Sequence, residues 1–146
     1  MPRMPNRLAR DSGSYLLVLR LMAWRGVTVG ALGRLSIRPG YYVYVGSAMN
    51  GLAARIARHR RVRKPSHWHI DYLRRHARFH GSVAIPSRAR LECLLAARVR
   101  QVAAWAVPGF GCSDCSCSSH LFGFRRDPLR LRVFRSLAKI TKLPPG

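Results

Sequence analysis

The stretch YYVYVGSAMNGLAARIARHRR, residues 41–61, constrains the fold more than any other part of the chain. Its first five residues are aromatic and β-branched, which suits a half-buried strand, and a Pro39-Gly40 turn precedes them. Alternation sends Tyr42 and Tyr44 to one face of that strand and Tyr41 to the other. From Asn50-Gly51 onward Ala, Leu and Arg predict a helix of about three turns, ending at Val62. At about 100° per residue, Leu52, Ala53, Ile56 and Ala57 form its apolar arc, while Arg58 and Arg61 point away. Arg55 and His59, spaced i,i+4, share one sheltered edge. The stretch thus sets phenols on a strand, a glycine turn that lets a phosphate backbone approach, and a guanidinium and an imidazole on the next helix.

The flanking sequence supplies the partners that such a strand needs. Residues 13–24, GSYLLVLRLMAW, read as another strand, and residues 27–40 as a short extended piece that leads to the Pro39-Gly40 turn. Residues 66–77 predict a short helix capped by Ser66, residues 79–86 a strand stopped by Pro86, and residues 87–106 a long helix capped by Ser87. On that long helix Leu91, Leu95, Val99, Val102 and Ala106 make the buried stripe. LFGF, residues 121–124, returns as a closing edge strand. Residues 125–146 alternate Arg with Leu, Val and Phe, a pattern open to strand or helix. No internal repeat is present. A length of 146 residues fits one domain, here an α+β domain over 13–124 with a flexible basic arm at 1–12 and a basic C-terminal extension at 125–146.

Glu92, the single glutamate, falls inside the long helix's stripe beside Val99 and Ala103. A carboxylate there costs several kcal/mol unless it is paired or bound to a cation. An arginine partner and a Mg²⁺ ion both answer that need.

Charge points to the partner. Lys and Arg number 27 against 5 acids, a net +22, and a polyanion that neutralises this releases counterions. Codon bias in a GC-rich genome explains Arg over Lys but not the scarcity of acids. Nucleic acid is therefore the expected partner, with no membrane and no protein partner. No apolar run approaches the roughly 20 residues of a membrane span, and residues 1–8 lack the apolar centre of a secretory signal. A cytoplasmic protein is expected, with Cys93, Cys112, Cys115 and Cys117 as thiols or ligands and not as a disulfide frame. Cys112, Cys115, Cys117 and His120 offer four soft ligands for zinc, yet with no second pair at a distance one tight loop would have to wrap the ion alone. The plainer reading is a small-residue loop whose thiols and Asp114 hydrogen-bond its own backbone.

Taken in order, Gly13-Ser14-Tyr15, Tyr44-Val45-Gly46, Arg55 with His59, and Glu92 resemble the GIY-YIG nuclease superfamily. The strings GSYLLVLRL, GRLSIRPGYYVYVGSA, ARIARH, HWHIDYL and GFGCSDCSCSSHLF look like its small stand-alone Uri-type branch, catalogued as domain of unknown function 123, across residues 13–124. The resemblance implies a three-stranded antiparallel sheet flanked by helices and metal-dependent hydrolysis of phosphodiester bonds in DNA. By motif, Tyr15 and Tyr44 would lie side by side, Tyr44 as the base and Tyr15 orienting. Arg55 would contact the scissile phosphate, His59 would assist, and Glu92 would hold one Mg²⁺ or Mn²⁺. Gly46, Ser47, Arg58, Arg61, His67, His69 and His120 would contact the nucleic acid. Three departures stand out: Ser14 replaces the usual Ile, the interval from Tyr15 to Tyr44 is long enough for an inserted ribbon, and the family's late Asn has no counterpart, leaving His120 or Ser119 to replace it. The alternative expectation is a basic nucleic-acid-binding module on the same fold, without turnover.

Overall fold

The computed structural model describes residues 11–112, 115 and 117–137. Residues 1–10 of the expected arm, residues 138–146 of the extension, and Asp114 lie outside the described residues.

Strand β1 (Gly13–Leu21) is buried at every position but Arg20, because it lies inside the sheet with both faces covered. The inserted ribbon follows, formed by β2 (Arg25–Val29) and β3 (Gly33–Ile37) around a 3-10 turn at Gly30–Leu32. It absorbs the long interval before β4 (Gly40–Ala48). Helix α1 (Leu52–Arg60) starts after Gly51, whose φ of +82° suits glycine. Its orphan N–H groups are met from the chain's start: the Asp11 carbonyl accepts from Leu52 N at 3.0 Å, and the Asp11 carboxylate from Ala53 N at 3.2 Å. The buried stripe of α1 is narrower than the expected arc. Leu52 and His59 are buried and Ile56 is partly so, while Ala53 and Ala57 face solvent.

Helix α2 (His69–Arg74) begins later than expected, and Ser66 is not its cap. The Asp71 carboxylate instead reaches back to accept from His67 N and Trp68 N at 2.8 and 3.0 Å. Strand β5 (Arg78–Pro86) ends at proline, as expected. Helix α3 spans Glu92–Val102, shorter at both ends than the sequence suggests. Ser87 Oγ accepts from Ala89 N in a tight turn and caps nothing. At the far end Ala103 is extended, and the chain continues as β6 (Trp105–Ala106).

Strand β7 (Leu121–Phe124) completes a five-stranded antiparallel sheet ordered β5-β1-β4-β7-β6, where the sequence suggested three strands. The expected three are its β5-β1-β4 part. LFGF is not an edge, because β6 pairs along its outer side and all four residues are buried. The first residues of the extension form a 3-10 turn, Pro128–Arg130, and helix α4 (Arg132–Leu137).

Two apolar clusters sandwich the sheet. Tyr15, Leu17, Leu19, Tyr42 and Tyr44 pack on one face with the ribbon, α1 and α2. Leu16, Val18, Val43, Val45 and Phe122 pack on the other with α3 and α4, where Phe134 and Leu137 are buried. Tyr41 lies with this second cluster, so the expected alternation of the tyrosines holds. Among the described residues no helix is long and apolar enough to cross a membrane.

Candidate functional site

Register fixes the two phenols. In the β1–β4 pair Tyr15 stands opposite Gly46 and Tyr44 opposite Leu17, so the rings lie on one face with centroids 6.4 Å apart. Gly46 is not in a turn, since β4 runs on to Ala48. The Tyr15 ring lies so close above Gly46 that any Cβ there would run into it. Close packing of a ring therefore requires glycine at this point.

Helix α1 then presents His59 to Tyr15. The Tyr15 hydroxyl and His59 Nε2 are 2.9 Å apart, and His59 is 2% exposed. Burial drives the His59 pKa down to about 4, against the opposing influence of Asp71, so the imidazole is neutral at pH 7. Burial also pushes the Tyr15 hydroxyl up to about 12 despite Arg55 beside it, and Tyr44 rises well above its ordinary value for the same reason. Both tyrosines are phenols and His59 is a free base, so Tyr15 donates and His59 Nε2 accepts.

A second layer holds this pair. Asp71 lies 3.9 Å from His59 Nδ1 and receives a two-pronged bond from Arg58 at 3.0 and 3.2 Å. Burial pushes the Asp71 carboxyl up, but the Arg58 fork and the Trp68 and His67 N–H groups outweigh it and hold it below the usual range. The Arg55 and Arg58 guanidiniums both lie over the Trp68 ring, 4.2 and 4.6 Å from its centroid. Arg55 also donates to the Ser47 carbonyl at 3.3 Å.

Part of this assembly opens on a cavity of about 300 Å³, with His59 behind Tyr15 and outside the lining. Tyr15, Tyr44 and Arg55 line it, together with Gly46, Ser47 and Trp68. Glu92 faces it from the first position of α3, with 27% of its side chain exposed. It stands at the N-terminal end of the face that Leu95, Ala96 and Val99 bury, as the helical spacing predicts, where that face runs out onto the cavity. Ser47 Oγ donates to Glu92 Oε1 at 3.1 Å, His120 Nδ1 is 3.7 Å from Oε2, and Arg90, largely exposed, comes no nearer than 3.9 Å.

Of the expected nucleic-acid contacts, His67, His69 and His120 line the cavity, as do Gly46 and Ser47. His69 Nδ1 accepts from Gly111 N at 2.8 Å, which ties the rim to the loop before β7. Arg58 is committed to Asp71, and Arg61 is exposed beyond the end of α1, outside the cavity lining. Asp71, Trp68 and Arg90 escaped the sequence reading. The signal for Asp71 was its rarity, one of five acids within a basic chain.

A second constellation adjoins the first. Cys93, Cys115, Cys117 and His120 bring their ligand atoms within 4.8 Å of one another and could hold a metal ion. This set differs from the one read in the sequence. Cys112 stands outside it, donating to the Phe110 carbonyl at 3.4 Å, and Cys93 from α3 takes its place.

A protein-family model described as a domain of unknown function, DUF123, matches residues 14–142. No curated protein and no solved structure matches the chain.

Proposed function

The chain belongs to the DUF123 family, and from that footing we propose that it is a metal-dependent endonuclease that hydrolyses phosphodiester bonds in DNA. One observation carries the reading: the sole glutamate opens onto the same cavity as two phenols and Arg55, with its nearest arginine only loosely held at 3.9 Å. A structural ion pair would have locked that carboxylate to a guanidinium.

Arg55, braced on Trp68, offers its guanidinium to the scissile phosphate and to the charge that grows there during attack. Neither phenol is ionised at neutral pH, so a tyrosine accepts a proton from water only if its own proton has somewhere to go. Tyr15 has that outlet: its proton passes to His59 Nε2 as its oxygen takes one from the water, and the Asp71 carboxylate offsets the imidazolium that forms. Tyr15 thereby takes the base role expected of Tyr44, and Tyr44 orients the water across the cavity. A lone carboxylate completed by water and substrate phosphate is the donor set that Mg²⁺ or Mn²⁺ accepts, so Glu92, with the Ser47 hydroxyl beside it, would hold such an ion, which would neutralise charge on the pentavalent phosphate.

Nicking of supercoiled plasmid with Mg²⁺ or Mn²⁺ tests the proposal, with all proteins purified identically. Glu92→Gln should lose on the order of 100-fold or more in nicking rate while binding DNA at least as tightly. If the wild type binds DNA and nicks none, the chain is a basic binding module in which Arg55 serves only as a phosphate contact.

A further inference from the structure

We propose that Cys93, Cys115, Cys117 and His120 form a tetrahedral Zn²⁺ site that ties the loop before β7 to the start of α3. The sequence argues against zinc because its cysteine loop has no distant partner; the fold supplies one. Cys93 is the second residue of α3 and reaches the loop from a separate element, which gives the division between two chain segments that structural zinc sites use.

The geometry suits the ion. Zinc bonds of about 2.3 Å to sulfur and about 2.0 Å to nitrogen separate tetrahedral donors of this set by roughly 3.5–3.8 Å. Cys115 Sγ already lies 3.3 Å from His120 Nε2, and the whole group falls within 4.8 Å. Small side-chain rotations close the remainder.

His120 is also prepared as a ligand. It is 1% exposed, and its Nδ1 lies 3.1 Å from the Val45 carbonyl. A carbonyl can only accept, so Nδ1 carries the hydrogen and the Nε2 lone pair points to the thiols. A carbonyl behind the ring that fixes the tautomer and aims the imidazole is what metal-bound histidines use. The backbone of His120 is pinned as well, its N–H donating to Phe110 O at 2.8 Å and its carbonyl accepting from Val45 N at 2.9 Å. Three thiolates, one neutral imidazole and Zn²⁺ carry one net negative charge, and Arg100, which shares a cleft with Cys93 and Cys117, lies close by to offset it. The site makes His120 a metal ligand in the cavity wall and removes it from the phosphate contacts. Because Cys93 follows Glu92 directly, the ion also steadies the turn of α3 that carries that carboxylate.

The test measures metal on the full chain and needs no nuclease activity. Purified wild type should contain about one zinc per chain, and after metal removal Co²⁺ should give tetrahedral d–d bands with a thiolate-to-cobalt charge-transfer band. Cys112→Ser should keep the full equivalent, and Cys93→Ser should lose most of it. Cys93→Asp, which leaves a ligand in place, should bind Co²⁺ with about two thirds of the charge-transfer intensity, as expected for two thiolates in place of three. Chelation should lower the Tm of the wild type and leave that of Cys93→Ser unmoved. A wild-type chain that carries no zinc and yields no charge-transfer band with Co²⁺ overturns the site, as does a Cys93→Ser variant that retains a full equivalent.

Discussion

His59 is the residue whose chemistry is most exposed to test. Its folded pKa of about 4 lies below the ordinary 6.5, so between these values the unfolded chain binds a proton that the folded chain refuses. Stability is therefore full above about pH 6.5 and is lost as the pH falls toward 4, by on the order of 3 kcal/mol. Urea unfolding at pH 7 and pH 4.5 should show that loss in the wild type and a smaller one in His59→Asn. An equal pH dependence in both would mean that the imidazole is not the sensor. The proposed proton route makes a second prediction: Tyr15→Phe, which removes the hydroxyl but keeps the ring over Gly46, should slow nicking on the order of 100-fold, and Tyr44→Phe should slow it less. A larger loss for Tyr44→Phe would restore the base role to that residue. Tyr15, Tyr44, Arg55, His59 and Glu92 were singled out by the ordered motifs of the family resemblance; periodicity by itself placed Tyr44 on its strand face, Arg55 with His59 on one helix edge, and Glu92 on the buried face of its helix. Asp71 and Trp68 were not, because what matters for them is a fold contact: a carboxylate reaching back over its own helix start, and an indole under two guanidiniums that α1 supplies.

At the scale of elements the sequence spoke clearly where pattern alone decides and fell short where pairing does. β1, β4, β5 and α1 announce themselves through composition and turn residues. The stretch after Val102 carried the Ala-rich look of a continuing helix, yet it leaves α3 because Trp105 finds a place on β7. Its indole covers Gly123 and approaches Gly40, and Arg38 stacks on it 4.4 Å from its ring centroid. That long-range contact has no local signature. It predicts that Gly123→Ala, whose Cβ would collide with the indole, destabilises the domain by about 1–3 kcal/mol, measurable by urea unfolding. A smaller change would show that β6 is free to lift. The start of α3 was misread for a related reason: Ser87 is a good cap by type, but its hydroxyl is spent on a tight turn at Ala89.

For the whole molecule, charge was legible from composition alone, and its arrangement was not. If several arginines meet DNA phosphates, affinity for a short duplex should fall roughly 1,000-fold or more between about 50 and 200 mM salt. Arg61→Ala, on the exposed end of α1, should reduce the log–log salt slope by about one without changing Mg²⁺-dependent nicking at saturating DNA. A nearly salt-independent affinity would remove the electrostatic basis for a nucleic-acid partner. The order β5-β1-β4-β7-β6 brings residues from opposite ends of the chain to one cavity, and no local pattern encodes that order. One contact within it reaches into ancestry. With the Tyr15 ring resting on bare backbone at Gly46, the order of change is constrained: position 15 is free to shrink first, but a lineage cannot gain a side chain at 46 until the ring at 15 has been lost or displaced.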